Sequence, residues 1–184
     1  MRRYFPAVVV ASVLLAGCQG PSASKPQPAP AVSAPEYRLH ATIKDIMDAF
    51  VDPGADYIWD SVATTITAKG SVEKYPRTDE EWKELRRRTI QVMEGANLLL
   101  IPGRHVAKPG DPSDPRIELP PDQIEALINQ DRAAFTQRAH ALFDSMLPVL
   151  EAIEAKDRHR LLEAGDGIDV ACENCHLKYW YPPK

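Results

Sequence analysis

Cysteine is scarce in this chain: 184 residues carry three, at positions 18, 172 and 175. Three thiols cannot build a multi-bridge disulfide framework. Positive charge is not in excess either. Lysine and arginine number 22 against 26 aspartates and glutamates, for a formal net charge of −4, and nothing in that balance points to nucleic acid. Long apolar runs are missing as well. Ala7 to Ala16 is almost wholly apolar, but it is too short to span a bilayer. No run of alternating apolar and polar residues bounded by turn signals argues for a sheet.

What is present starts at the N-terminus. Met1-Arg2-Arg3 is basic and precedes the apolar run, the layout of a secretory signal rather than of a spanning helix. The run ends in Leu15-Ala16-Gly17-Cys18, which resembles the bacterial lipobox; the resemblance implies cleavage of residues 1–17 before Cys18 and lipidation of its thiol and new amino terminus. An ordinary signal with a stray cysteine is the alternative. In Gram-negative relatives an Asp after the lipidated cysteine is the usual inner-membrane retention signal, so Gln19 favours an outer-membrane address. Residues 18–35 then read as a lipid-anchored tether. They are rich in Pro, Ser, Ala and Gln, with Lys25 the only charge, and such a composition cannot bury a core. Losing Arg2 and Arg3 with the signal moves the formal charge from −4 to −6. Residues 36–184 form a length suited to one domain with a substantial core.

Near the other end stands Cys172-Glu173-Asn174-Cys175-His176, the spacing at which a c-type haem is covalently attached. The two thiols can form thioethers with porphyrin vinyl groups, and the following histidine is then placed to become an axial ligand to iron. On a helix Cys172 and Cys175 are i and i+3, and Cys172 and His176 are i and i+4, so all three share one face. Other readings use the same residues. A zinc site would need two more ligands from His40, His105, His140 or His159, none of which lies in a second paired motif. A thioredoxin-like dithiol would open a helix after a strand, and no strand pattern precedes it. A disulfide across three residues suits a regular helix poorly. With Cys18 in the lipobox and the other two in the motif, no thiol is left over, and export suits covalent haem attachment.

Helical periodicity dominates the domain. Helix one carries Leu39, Ile43, Ile46, Met47 and Phe50; Pro53-Gly54 is expected to break it, with a second segment from Ala55 to about Thr65 through Ile58, Trp59 and Val62. Thr78 and Glu81 form a capping box before helix two, which buries Trp82, Leu85, Val92, Met93, Ala96 and Leu99 and stops at Pro102-Gly103. Residues 102–120 read as a long connection. Helix three opens after Pro120-Pro121, sets Ile124, Ile128, Phe135, Leu142, Met146 and Ile153 on one stripe, and is expected to bend at Pro148. Asp157 caps helix four, where Leu161, Ile168, Cys172, Cys175 and Tyr179 share the core-facing side. The expected fold is all-α, a four-helix bundle with its cofactor on the last helix.

The motif on a last helix close to the chain end, followed three residues after the histidine by Tyr179, resembles the class II c-type cytochromes, the group that includes cytochrome c prime. The specific part of the resemblance is Cys172, Cys175, His176 and Tyr179, with Met47 in the first helix. It implies one covalent haem c, His176 as proximal ligand, and a distal residue from helix one. Low-spin members place a methionine there and carry electrons; members with an apolar residue leave the iron open to small gases. Met47 on the helix-one stripe is therefore the candidate distal ligand, and a thioether opposite histidine raises the potential. Methionines on an apolar face also serve simply as core filling. His140 ranks second and His40 behind it, while Met93 and Met146 lie on helices that do not supply the distal residue. The chain departs from the family in two places: Trp180 stands where a basic residue is common and Ile43 where arginine is. Arg38, Lys178 and Lys184 are candidates for the missing charge.

The resulting expectation is a periplasmic electron carrier rather than an enzyme, tethered by lipid to a membrane and serving periplasmic or membrane redox proteins, with a homodimer as a candidate assembly. A five-coordinate binder of nitric oxide or carbon monoxide is the first alternative. A haem-free helical lipoprotein with a zinc or redox dithiol is the second.

Overall fold

The last helix of the bundle begins where the sequence places its cap. Asp157 accepts hydrogen bonds from the backbone N–H groups of His159 and Arg160 at 3.0 and 3.2 Å, satisfying two donors that a helix start leaves orphaned. The computed structural model describes residues 37–181; the signal, Cys18, the tether and Lys184 lie outside the described residues. The helices are α1 (Ile43–Ile46), α2 (Asp52–Ser61), α3 (Asp79–Leu99), α4 (Pro121–Gln130), α5 (Arg132–Ala155) and α6 (Arg158–Tyr179). A π-helical stretch, Met47–Val51, joins α1 to α2. The first rod is thus α1, the π-stretch and α2; α3 is the second, α4 with α5 the third, and α6 the fourth. α5 packs against α3 and α6, and the first rod lies along α3 with α2 also reaching α6. This is a four-helix bundle.

Its core is the set of stripes that helical periodicity marks. Leu85, Val92, Ile124, Met146, Leu161 and Ile168 are fully buried. The capping box of α3 is present in both directions: Glu81 N–H donates to Thr78 Oγ1 at 3.2 Å, and Thr78 N–H donates to Glu81 Oε2 at 2.8 Å.

The first rod differs from the expected one in an instructive way. Pro53 does not break it. Proline has no N–H to give the carbonyl four residues back and its ring crowds that carbonyl. Here the chain widens by one residue just before it: Asp52 N–H donates to the Met47 carbonyl, five residues back, and the Ala49 carbonyl that Pro53 cannot serve accepts from Gln91 Nε2 at 3.0 Å instead. The widened turn also shifts the buried stripe. Ile43 and Ile46 are buried, and the next buried position is Val51, a step of five, followed by Ala55 and Ile58. Extending a regular 3–4 spacing to Phe50 therefore fails, and Phe50 is 36% exposed. Leu39 precedes the helix and is exposed too. Gly54 serves as an interface residue rather than a breaker, since a Cβ there would meet Val92 Cγ2 at 2.6 Å and the Arg88 carbonyl at 3.1 Å.

Two further expectations are corrected. The segment from Ala55 stays helical only to Ser61; Ala63–Thr67 (β1) and Gly70–Lys74 (β2) form an antiparallel hairpin, with Thr65 opposite Val72. A sheet was not expected because neither face of this hairpin is buried: Ile66 is 86% exposed. Without a core to face, a strand has no reason to alternate. Gly70, at φ 122, closes the two-residue turn. Second, the third rod is interrupted at Asp131, whose non-helical backbone (φ −139, ψ 71) ends α4 while its side chain accepts from Ala134 N–H at 3.0 Å to start α5. α5 then runs through Pro148 without ending.

Candidate cofactor site

Cys172, Cys175 and His176 all lie on α6, within its last three turns, and all three are half-buried. They line one wall of a cavity of about 380 Å³, inside the range of roughly 300–1,000 Å³ typical of cofactor pockets. Met47 lines the same cavity from the first rod. It is the first residue of the π-stretch: its own N–H still reaches the Ile43 carbonyl as in a regular helix, and the widened turn that follows resets the buried stripe beyond it; such π-turns are frequent at functional sites. Phe135, Leu142 and Ile128, from the third rod, supply apolar wall. The structure thus brings Met47 together with the motif. His140 and His40 are exposed and do not line the cavity.

Burial sets the chemistry of the three α6 side chains. It pushes both thiols up to about 11, for Cys172 with help from the nearby Asp52 carboxylate, so both are protonated at neutral pH. They are free thiols, near the C-terminal end of a helix, where the dipole disfavours an anion. A nucleophilic dithiol or a thiolate metal site wants the opposite setting. Among the described residues no three His, Cys, Asp or Glu side chains converge as a metal site, and His105 is taken by Glu125 at 3.0 Å. Burial lowers the His176 imidazole, against the pull of Asp52 and Glu173. That favours the neutral ring, the form with a lone pair to give. Burial also raises Asp52, opposed by His176 and reinforced by Asp56 and Asp48.

A flat, largely apolar macrocycle fits these surroundings. Two neutral thiols and an imidazole share one wall, a thioether stands on another, and the rest is mainly aliphatic and aromatic. Tyr179 adds a sharper sign. Its ring is edge-on to Phe135 at 5.5 Å, it is 1% exposed, and its hydroxyl has no hydrogen-bond partner among the described residues. A buried hydroxyl left without a partner is costly, and this one belongs to a residue of the cavity wall.

Several lining residues were not singled out from sequence. Arg138 on α5 donates from Nε to the Asn174 carbonyl at 3.2 Å, tying α5 to the motif itself. Lys44 pairs with Glu118 at 2.8 Å, and Glu118 also accepts from Trp180 Nε1 at 3.1 Å. Arg38 and Lys178 are exposed and do not line the cavity, so the cations at its edge are Lys44 and Arg138. Arg138 sits three residues after Phe135 and four before Leu142, a spacing that puts it beside the buried stripe; Lys44 and Glu118 carry no such mark.

No protein-family model matches the chain, and no curated protein matches it. Among solved structures it is similar to a nitric oxide complex of a mutant cytochrome c prime from Alcaligenes xylosoxidans, at 19% identity and a TM-score of 0.47, over 78% of this chain and 100% of that one.

Proposed function

We propose that this chain is a mono-haem c-type cytochrome of the class II kind, a lipid-anchored periplasmic electron carrier rather than an enzyme. One observation carries the reading: a single apolar cavity is lined by Cys172, Cys175 and His176 from the last rod and by Met47 from the first. Cys172 and Cys175 would hold the haem through thioethers, each S–H adding across a vinyl double bond so that attachment would need no oxidant. His176, through an imidazole nitrogen, and Met47, through its thioether sulfur, are the side chains that would bind the iron. Bound haem supplies one-electron chemistry at its iron, and the Met/His pair favours the reduced state. Phe135, Leu142 and Ile128, which line the same cavity, would keep water from the bound group. Cys18 holds the domain to a membrane through lipid; among the described residues no helix is long and apolar enough to cross one.

The absorption spectrum of the purified full chain tests this reading. Haem should stay with the polypeptide through denaturing electrophoresis, and the oxidised protein should show a methionine-to-iron charge-transfer band that disappears in Met47→Ala. Haem that washes out on denaturation would refute covalent attachment. A high-spin ferrous form that takes up carbon monoxide readily would refute the carrier and leave a gas-binding protein.

A further inference from the structure

The Tyr181 hydroxyl touches both the motif histidine and Glu173, and these two contacts bear on which imidazole nitrogen is free. His176 Nδ1 lies 3.4 Å from the Tyr181 hydroxyl oxygen, and that hydroxyl lies 3.4 Å from Glu173 Oε2. An ionised carboxylate only accepts, and a phenol has one proton. If Tyr181 donates that proton to Glu173, its oxygen is left to accept, and the proton it accepts has to come from Nδ1–H of His176. A neutral imidazole carries one N–H. Nε2 is then the nitrogen with the lone pair.

The backbone holds this arrangement in place. The His176 carbonyl accepts from Trp180 N–H at 2.8 Å and from Tyr181 N–H at 3.0 Å, which closes the end of α6 and brings Tyr181 beside His176. The Tyr181 ring centroid stands 5.6 Å from that of His176. We propose that Tyr181 and Glu173 are positioning residues that hold His176 as its Nδ1–H tautomer and strengthen Nε2 as a donor to iron. The inference rests on the cytochrome reading above and adds to it a control of potential. Hydrogen bonding of the outer N–H to an anionic chain raises ligand basicity, and a more basic ligand favours oxidised iron. Tyr181 and Glu173 therefore lower the potential that Met47 raises, and the two sides of the iron are tuned against each other.

Spectroelectrochemical titration of the haem-loaded full chain tests the proposal. In Tyr181→Phe the acceptor for Nδ1–H is gone, and the midpoint potential shifts upward. In Glu173→Gln the phenol keeps an uncharged acceptor, so the upward shift is smaller. The double variant shifts by less than the sum of the two single variants, because Glu173 acts on His176 chiefly through the phenol, with only the direct pull of its charge besides. Tyr181 is 37% exposed, so its variant keeps the melting temperature of the parent, which separates a tuning role from a structural one. Covalently retained haem with an unmoved potential in Tyr181→Phe overturns the relay, as do additive shifts in the double variant. Haem that is not retained at all overturns instead the cytochrome reading beneath it.

Discussion

Lys156 adopts φ 51 and ψ 37, the only non-glycine residue with positive φ among the described residues. It ends α5: its N–H reaches the Ala152 and Ile153 carbonyls, and Asp157 N–H reaches the Ala152 carbonyl at 2.8 Å. Asp157 then caps α6, so one left-handed residue lets the third rod turn into the fourth. A side chain in that conformation costs about 1–2 kcal/mol, and glycine is the usual occupant. The Lys156–Asp79 pair at 2.6 Å is on the surface, where screening leaves such pairs weak. Lys156→Gly should therefore stabilise the protein by about 0.5–1 kcal/mol, read as a higher urea midpoint at unchanged slope; a lower midpoint would show that the ion pair outweighs the strain. The residues on either side of this one differ in how far sequence reveals them. Asp157 and Thr78 announce themselves because a cap is a local hydrogen bond at fixed spacing. Lys156 carries no such mark. The thiols and histidine of the motif are legible for the same local reason, whereas Lys44, Arg138 and Glu118 reach the cavity through tertiary packing, and a charge in a sequence does not say which way it points.

Among the elements, the helix stripes of α3 to α6 are legible because regular helices repeat at a constant angle. The first rod is not, because its π-stretch inserts a step of five between Ile46 and Val51. A residue pair one position beyond the stretch also reads ambiguously. Pro53-Gly54 is a turn signal in isolation, yet Pro53 sits in the first turn of α2 and Gly54 in its contact with α3. The hairpin and the break at Asp131 escaped for related reasons: the first has no buried face to impose alternation, and the second leaves the buried stripe intact across it. Close approach makes Gly54 sensitive. Its added methyl would press on Val92 Cγ2, part of a stiff, fully buried side chain, and on the Arg88 carbonyl. Gly54→Ala should cost about 1–2 kcal/mol, overpacking exceeding the roughly 1 kcal/mol gained in helix propensity. Gly167, in the interior of α6, has nothing within 4 Å of such a methyl. Gly167→Ala should gain about 0.5–1 kcal/mol. Thermal melts of the pair share the same substitution, so shifts of the same sign would refute the contact argument.

At the scale of the molecule, the long connection after α3 is what joins the first rod to the end of α6. The His105 and Val106 carbonyls accept from the Ile43 and Lys44 N–H groups at 2.9 and 3.0 Å, and the Val106 side chain is buried. Farther along, Leu119 N–H donates to the Trp180 carbonyl at 2.7 Å, while Glu118 binds Lys44 and the Trp180 indole. Asp45 fastens the near side of this strap. Its carboxylate accepts from Thr42 N–H at 2.9 Å and from Lys108 Nζ at 2.9 Å, one bond capping α1 and the other holding the connection. The Thr42 backbone, then the Lys108 side chain, lower its pKa from 3.8 to about 2. A carboxyl whose pKa is depressed by folding contributes stability above its unfolded pKa and loses it as pH falls through the folded value. The contribution of Asp45 is therefore complete at neutral pH, declines from about pH 4 and is gone below about pH 2. Asp45→Asn should consequently be less stable than the parent at pH 7, with the two denaturation midpoints converging as the pH approaches 2. Ionic strength separates the two bonds, since salt weakens the Lys108 contact more than the cap. A gap that stays constant from pH 7 to pH 2 would mean that the carboxylate's charge contributes nothing, and that the shape and hydrogen-bonding geometry of the side chain alone set the difference between the two proteins.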